Sequence, residues 1–185
     1  MAAGDLTTIA NVEQWLGLPA GCKDEALLTR LITAASGFIS RWCGRQFASQ
    51  NVVDTFNGTG GVAQPLRQYP VSAVASVSVD GQSIPPSPGV PQAGFLFTDT
   101  MVSLSGYRFN RGIANVTIAY TAGYATIPDE LEQACIELVA FRYREIPRIG
   151  KASEGMAAQT TAFVIKDIPP SVATLLATYK RVVPA

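Results

Sequence analysis

The sequence contains no histidine, and this absence excludes most of the common forms of side-chain catalysis. Histidine is the usual general base near neutral pH, the usual partner of a catalytic serine or cysteine, and the commonest metal ligand. The sequence also lacks a GxxxxGK(S/T) phosphate loop, a GxGxxG segment after a strand and a CxxC pair. We therefore expect no catalytic residue, no metal and no cofactor, and we interpret the protein as a non-enzyme.

Cysteine is scarce, and its placement does not indicate a disulfide framework. The three residues are Cys22, Cys43 and Cys135, which lie far apart in or beside apolar helical stretches. An odd number of separated cysteines is typical of proteins made in a reducing compartment. We therefore expect reduced thiols in the core of a protein made in the cytoplasm.

Charge is also in short supply, since charged residues make up 15% of the chain, whereas about a quarter is usual in soluble domains. Lys plus Arg and Asp plus Glu both number 14, so the net charge is zero. Tight binding to DNA phosphates normally needs a basic excess, so we do not expect it, although DNA can slide past a charge-balanced wall. The shortage of charge favours a surface covered by neighbouring molecules over a small domain rich in Ala, Val and Thr.

Long apolar runs are missing too. No run approaches the roughly 18 residues that a membrane-spanning helix needs. The N-terminal segment MAAGDLTT lacks the basic stretch and apolar stretch of a secretory signal. We expect neither a membrane span nor a secretion signal.

The sequence does contain two predicted helices near its start. A short helix is expected at about 8–16, with Thr7 or Thr8 as its cap, and a longer one at about 24–43, closed by Gly44. The apolar faces are predicted to be Val12, Trp15 and Leu16 on the short helix, and Leu27, Leu28, Leu31, Ile32, Ala35, Phe38, Ile39 and Trp42 on the long one.

From about residue 47 to residue 120 the helical periodicity disappears, and Gly, Pro, Ser, Thr and Val dominate. Alternation of Val with Ser or Ala over 71–79 predicts a strand, and Asp80-Gly81 predicts a hairpin turn. The glycine-rich segment 57–61 is typical of a flexible hairpin tip. Further strands are expected at 52–56, 95–97, 101–104 and 115–120.

Helical periodicity returns after Thr126, which we predict as an N-cap, with Pro128 inside the first turn. Residues 149–161 are Gly, Ala, Ser and Thr with few apolar anchors, and we expect them to be mobile. A short strand at 162–165 and a final helix capped by Asp167 are expected to follow.

These segments predict an α+β fold, a small helical bundle of about four helices with an inserted antiparallel β subdomain. The predicted parts are an N-terminal helical part at 1–48, the inserted β subdomain at 49–120, a helix completing the bundle at 121–148, and a flexible segment with a C-terminal helix at 149–185. The short apolar stripe of the final helix cannot stabilise an isolated helix. It must pack either on the protein's own core or in a groove of a partner.

Candidate chemical groups have simpler explanations. The segment 103–106 resembles a nucleophile elbow, but no histidine is present to activate a serine. Glu132 and Glu137 lie five residues apart on a helix, so they do not share a face, and we interpret them as solvated charges. Scattered arginines are expected in surface salt bridges or, alternatively, along a channel or at a subunit contact: Arg41, Arg45, Arg67, Arg108 and Arg111.

Several segments, taken in order, resemble one family. They are the short helix at 8–16, the helix at 24–36, the helix exit at 39–47 and the run Ile118-Ala119-Tyr120-Thr121-Ala122-Gly123-Tyr124 with Ile127-Pro128-Asp129-Glu130-Leu131. The last run is similar to the strand–YxAGY–IPxxL–helix junction of tailed-bacteriophage head–tail connector (adaptor) proteins. Its junction residues are Tyr120, Gly123, Tyr124 and Pro128. The resemblance covers about two-thirds of the chain, and the β stretch is longer than in the minimal connector.

The resemblance implies a structural subunit of the virion neck, made in the host cytoplasm and located at the head–tail interface. It implies a homo-oligomeric ring, usually a dodecamer, that docks under the portal protein and serves as the platform for a stopper or the tail. Genomic DNA would pass through the ring without sequence-specific binding. It also implies portal binding by the C-terminal segment, at Ile168, Val172, Leu175, Leu176, Tyr179, Lys180 and Arg181.

Two alternatives remain at the level of sequence. One is another neck or tail-completion protein of the stopper type, but such proteins are mostly β and usually lack the two-helix start. The other is a small enzyme, which would need a catalytic pair that this sequence does not supply.

Overall fold

The computed structural model describes residues 4–148, 153–156, 159–162 and 168–180. The chain forms two compact units. The helical unit comprises residues 1–44 and 127–185, and the β unit comprises residues 45–126, which interrupt it in the sequence. Four helices and antiparallel sheets in the described residues confirm the predicted α+β class.

The helical unit is built from helices that pack on one another. They are α1 (Ile9–Leu16), α2 (Glu25–Cys43), α3 (Asp129–Glu145) and α4 (Pro170–Ala177). The two long helices, α2 and α3, contact each other, and each of them also contacts both α1 and α4. A 3-10 turn at Ile146–Arg148 follows α3.

Local chemistry explains where the first two helices begin and end. Thr8 caps α1, because its side-chain oxygen accepts the Asn11 N–H at 3.3 Å. Gly44 closes α2 in the left-handed conformation and directs its N–H to the carbonyls of Arg41 and Ser40. Both features agree with the sequence prediction.

The buried face of α2 differs from the predicted stripe. Leu27, Leu31 and Phe38 are only partly buried, and Trp42 is 41% exposed. The buried positions are Leu28, Ile32, Ala35, Ser36, Ile39, Ser40 and Cys43. Small side chains such as Ala35, Ser36 and Ser40 lie on this face and allow neighbouring helices to approach closely. The space between the helices is then too narrow for a large ring, and Trp42 lies at the surface.

The start of α3 also differs from the prediction. The N-cap is Pro128 rather than Thr126, and the carbonyl of Pro128 accepts the N–H groups of Leu131 and Glu132 at 2.9 and 3.0 Å. Proline has a fixed φ and no N–H to satisfy, so it can hold the extended conformation that precedes the first turn. Acidic side chains then occupy the first turn, where they interact favourably with the helix dipole.

The β unit contains two antiparallel sheets. The first sheet has the order β1-β7-β3-β4 and the second has the order β2-β6-β5. Their strands are β1 (Gln50–Gly58), β2 (Ala63–Pro65), β3 (Val71–Val79), β4 (Gln82–Ile84), β5 (Gly94–Phe97), β6 (Met101–Ser105) and β7 (Gly112–Ala122). Each strand expected between residues 52 and 120 lies within one of these elements.

One apolar core joins the strands of the β unit. It includes Val77, Val102, Phe109, Val116 and Ile118, each of which is completely buried. The β3–β4 pairing places Val79 opposite Gln82, which confirms the predicted turn at Asp80-Gly81.

The glycine-rich segment 57–61 is not the tip of a hairpin. It connects β1, in the first sheet, with β2, in the second sheet. Gly60 donates its N–H to the carbonyl of Phe109 at 2.6 Å, and Phe109 donates its N–H to the carbonyl of Gly61 at 2.9 Å. The hairpin prediction was wrong because glycine content marks a turn without fixing which strands the turn connects.

Regular structure also occurs where the sequence suggested none. β8 (Ser153–Met156) pairs antiparallel with β9 (Gln159–Ala162), and Met156 lies opposite Gln159. The sequence prediction relied on apolar anchors, whereas a hairpin is defined by backbone pairing between neighbouring segments. Residues 163–165 of the predicted strand at 162–165, and the predicted cap Asp167, lie outside the described residues.

The last helix packs on its own unit. Val172 and Leu176 in α4 are completely buried, and α4 contacts α2 and α3. The thiol of Cys43 points to the Leu176 carbonyl, with 3.9 Å between sulfur and oxygen. Among the described helices, none is long and apolar enough to cross a membrane.

Replacing Leu28 with alanine tests the buried face of α2. Leu28 is completely buried, whereas the adjacent Leu27 is only partly buried. We expect Leu28→Ala to lower the free energy of unfolding by about 2–5 kcal/mol, the range for a leucine removed from a packed core. Leu27→Ala is the matched control and should cost clearly less in the same chemical denaturation experiment. Equal losses would contradict the assignment.

Candidate functional site

The predicted portal-binding residues divide into a buried group and an accessible group. Val172 and Leu176 are buried in the helical unit. Ile168, Leu175 and Tyr179 are partly buried and Lys180 is exposed. Arg181 lies outside the described residues. The accessible group is therefore the part of α4 and its flanks that is open to a partner.

Two polar contacts connect α4 and the turn that follows it to α3. The hydroxyl of Tyr179 donates to Glu130 Oε2 at 2.9 Å, and the hydroxyl of Ser171 donates to Glu137 Oε2 at 2.9 Å. Glu137 thus has a structural role, as does Glu132, whose Oε1 accepts hydrogen bonds from Thr7 and Asn11. No group of three or more His, Cys, Asp or Glu side chains in the described residues is arranged to hold a metal ion.

An aromatic surface lies beside the exposed end of α4. The rings of Phe38 and Trp42 stack with centroids 5.9 Å apart. Arg142 lies over Phe38, 5.2 Å from its centroid, and Lys180 lies over Trp42 at 5.1 Å. The sequence prediction placed both rings in the core, although their i, i+4 spacing is also that of a surface pair on a helix. We call these four residues the cation–aromatic stack.

Of the four predicted junction residues, Gly123 and Tyr124 directly follow β7, Tyr120 lies within it, and Pro128 is the N-cap of α3. Tyr124 N–H donates to the Phe47 carbonyl at 2.7 Å, and Gly123 N–H donates to the Pro70 carbonyl at 2.9 Å. Gly123 has φ +108°, and a Cβ at this position would lie 2.5 Å from the carbonyl oxygen of Ala48. Only glycine fits this combination of conformation and contact.

Tyr120 anchors the junction from within the β unit. Its hydroxyl donates to Asp54 Oδ2 at 2.6 Å and accepts the Gln68 N–H at 3.2 Å. Burial and the hydrogen bond to Asp54 raise the pKa of Tyr120 well above its ordinary value. Arg67 forms a salt bridge with the same carboxylate at 3.4 Å.

Arg45, which the sequence analysis expected in a surface salt bridge, a channel lining or a subunit contact, is instead buried close to the junction. Arg45 is 6% exposed, and its guanidinium lies against the rings of Tyr69, Phe47 and Tyr124 at 3.8, 5.2 and 5.9 Å from the centroids. It also donates to the carbonyl of Tyr69. Its scattered aromatic partners leave no local sequence signal, so only the folded chain identifies this cluster.

A polar network fixes the end of the β unit opposite the junction. The carboxylate of Asp80 accepts the amides of Asn110 and Asn115, each at 2.8 Å. Asn115 also accepts the Gly58 N–H at 2.9 Å and donates to the Asn110 carbonyl at 2.9 Å. The hydrogen bonds that Asp80 accepts from the side-chain amides of Asn115 and Asn110 lower its pKa. We call the segments 58–62 and 106–113, each a loop with the adjoining strand end, together with Asp80, the β tip.

Substitution of Gly123 by alanine tests the junction. The added methyl group would meet the Ala48 carbonyl in a conformation that side chains rarely adopt, so we expect unfolding to become easier by at least about 1–3 kcal/mol. Gly37→Ala is the control, because Gly37 is helical and has open space around its Cβ position. That change should stabilise the protein by about 0.5–1 kcal/mol. Differential scanning calorimetry would measure both, and a neutral Gly123→Ala would contradict this account.

Substitution of Tyr120 by phenylalanine tests the anchor. At neutral pH the loss of hydrogen bonds should lower the free energy of unfolding by about 1–3 kcal/mol. The unfolded chain releases the tyrosine proton near pH 10 while the folded chain retains it, so wild-type stability should fall as pH rises above about 10. In the variant, the free energy of unfolding should fall less steeply over this pH range. Chemical denaturation at several pH values would measure the difference. Tyr107→Phe, at a tyrosine that is 39% exposed, is the control and should change neither quantity.

Comparison with known proteins agrees with this architecture. The family model described as head completion protein matches residues 5–182. A comparison with curated protein sequences finds no match.

Solved structures show the same fold. A chain from the neck of an empty gene transfer agent particle, computed with C6 symmetry, aligns with a TM-score of 0.64 and 22% identity, covering 100% of this chain and 95% of that one. A chain from the neck of the native particle, computed with C12 symmetry, gives 0.64 and 20%, covering 100% and 94%. A chain from the virion of the native particle gives 0.63 and 20%, with the same coverage.

The family match extends over nearly the whole sequence, so it includes both the helical unit and the β unit. It confirms the resemblance to phage head–tail connector-type proteins and the expected location in the virion. The chain belongs to the head completion protein family, whose role is structural.

Proposed function

We propose that the protein is a head–tail connector subunit that forms a ring beneath the portal, extends the DNA channel and provides the platform for the tail. The family match over residues 5–182 is the observation that carries the proposal. The similar neck structures were computed with C6 and C12 symmetry, and a ring of twelve is compatible with both. A dodecamer is therefore the subunit number we propose.

An uncharged face of the first sheet supports assembly with neighbours. Three cross-strand rows of β1, β7 and β3 form its outer side: Asn51, Thr121 and Ala73; Val53, Ala119 and Ser76; Thr55, Thr117 and Ser78. None of these nine residues carries a charge, and Val53 is 69% exposed. A broad uncharged face is unusual on a free domain and suits a surface that neighbouring molecules cover.

Portal docking is proposed for the accessible part of the C-terminal segment. Leu175, Tyr179 and Lys180 remain open to solvent to different degrees, and Lys180 adjoins the ring of Trp42. Aromatic side chains such as Tyr179 and Trp42 at an exposed edge are typical of protein interfaces. Val172 and Leu176 support this surface from below, because they attach α4 to the helical unit.

Lys180→Glu tests the portal contact. Lys180 is exposed, so the variant should remain folded, while its affinity for portal-bearing heads should fall by at least about tenfold because a weak loss is repeated around the ring. Lys23→Glu is the matched control, because Lys23 is also exposed and lies far from α4 in sequence. Co-sedimentation with purified heads would measure binding. Deletion of residues 168–185 is a poorer test, since it also removes the buried Val172 and Leu176.

Equal binding by Lys180→Glu and Lys23→Glu would contradict the docking role of this surface. If the wild-type chain and both variants fail to bind portal-bearing heads, the connector function itself is contradicted.

A further inference from the structure

The β tip has the features of a rigid protein-docking element. The bonds from Asp80 and Asn115 fix its loops, and Gly58 and Gly112 lie so close to Asn110 and Asn115 that a side chain at either glycine would clash. A surface that is already ordered loses little conformational entropy when it binds. The tip is therefore prepared for contact without rearrangement.

The side chains that the β tip presents are those of a protein interface. Ile113 is 89% exposed, Val62 47% and Tyr107 39%. Arg108 and Arg111 are exposed, and each donates a long hydrogen bond within the tip: Arg108 to the Gly60 carbonyl at 3.5 Å and Arg111 to the Thr59 carbonyl at 3.4 Å. Two arginines beside three exposed apolar side chains suit a protein partner better than nucleic acid, which would call for a larger basic surface.

The helical unit carries a groove of matching chemistry. Its apolar lining includes Trp15, which is 49% exposed, together with Ala140, Phe141 and Pro169. Its charged lining comprises Glu137, Glu145 and Arg144, which leaves an excess of one negative charge. The β tip has an excess of one positive charge, because it carries Arg108 and Arg111 but only one acid, Asp80.

We propose that the β tip of one subunit docks into the Trp15–Phe141 groove of a second copy of the same chain. Charge complementarity and the exposed apolar side chains on both surfaces support this pairing. The tip and the groove are different surfaces, so the contact is heterologous, and a heterologous contact forms a ring when the rotation that it repeats closes. The inference rests on the proposed ring function and assigns its subunit contact.

A charge exchange tests the contact on purified portal rings. Wild-type subunits should occupy portal rings cooperatively. The Arg108→Glu, Arg111→Glu chain should bind without cooperativity, and its half-saturation concentration should rise by at least about tenfold. The Glu137→Arg, Glu145→Arg chain should behave in the same way. A chain with all four substitutions should regain cooperative binding, because the opposite charges again face each other. Mass photometry would count bound subunits, and circular dichroism would verify folding.

Glu137 also accepts a hydrogen bond from Ser171. If replacement of Glu137 unfolds the chain, Trp15→Ala tests the same groove. This change removes a half-exposed indole ring from the surface, so we expect the variant to fold. This variant should lose cooperativity in the same assay, and cooperative binding by folded Trp15→Ala would count against the groove.

Several results would overturn the inference. Cooperative binding by the Arg108→Glu, Arg111→Glu chain would do so, as would failure of the folded four-substitution chain to recover. Unchanged cooperativity combined with weaker binding to duplex DNA would assign the tip to nucleic acid instead. Wild-type binding without cooperativity would remove the tip contact but leave the connector function. A wild-type chain that neither binds portal rings nor self-associates in sedimentation would overturn both.

Discussion

The insertion of the β unit depends on one backbone contact between the chain segments that enter and leave it. Ala48 and Tyr124 form an isolated parallel bridge, in which Tyr124 N–H donates to Phe47 and Ser49 N–H donates to the Tyr124 carbonyl at 3.1 Å. Parallel pairing brings together two segments separated by some 75 residues of β structure, so the insertion ends where it begins. Gly123 makes the contact possible, because its backbone passes where a side chain would meet Ala48. The YxAGY segment is thus explained by a close approach of backbone to backbone.

Sequence reasoning succeeded where the signal was local and periodic. The caps at Thr8 and Gly44 and the turn at Asp80-Gly81 all follow from short-range chemistry. It failed where tertiary packing decided, as with Trp42, whose apolar character suggested the core although its ring lies on the surface. The cluster around Arg45 was beyond reach, because Tyr69 and Tyr124 approach it only after β3 and β7 have paired. The sequence also did not show which part of the C-terminal site is accessible, since one short segment carries both the buried Val172 and the exposed Lys180.

The low charge of the chain acquires a structural meaning once the fold is known. An ion pair joins Arg67 to Asp54 within the β unit, and the nine-residue outer face of the first sheet has no charge. Two exposed arginines of the β unit, Arg108 and Arg111, lie instead at the β tip. Uncharged surface lowers the solubility of a molecule that stays alone, but uncharged faces and exposed arginines suit a subunit whose surfaces contact other proteins. The prediction of covered surface, made from composition, therefore acquires specific candidate locations.

The packing of α4 limits how a portal contact can work. Burial of Val172 and Leu176 stabilises the attachment of α4 to its own unit by about 1.5–3 kcal/mol per side chain, and a partner that removed them would have to replace that energy. A partner that uses only Leu175, Tyr179 and Lys180 has no such cost, but it gains less from each subunit. A ring compensates for the weakness of each docking contact, because many weak contacts give strong overall binding when the joined subunits bind together. Weak docking by α4 and contact between neighbouring subunits would therefore be complementary requirements, and neither would suffice alone for a stable neck.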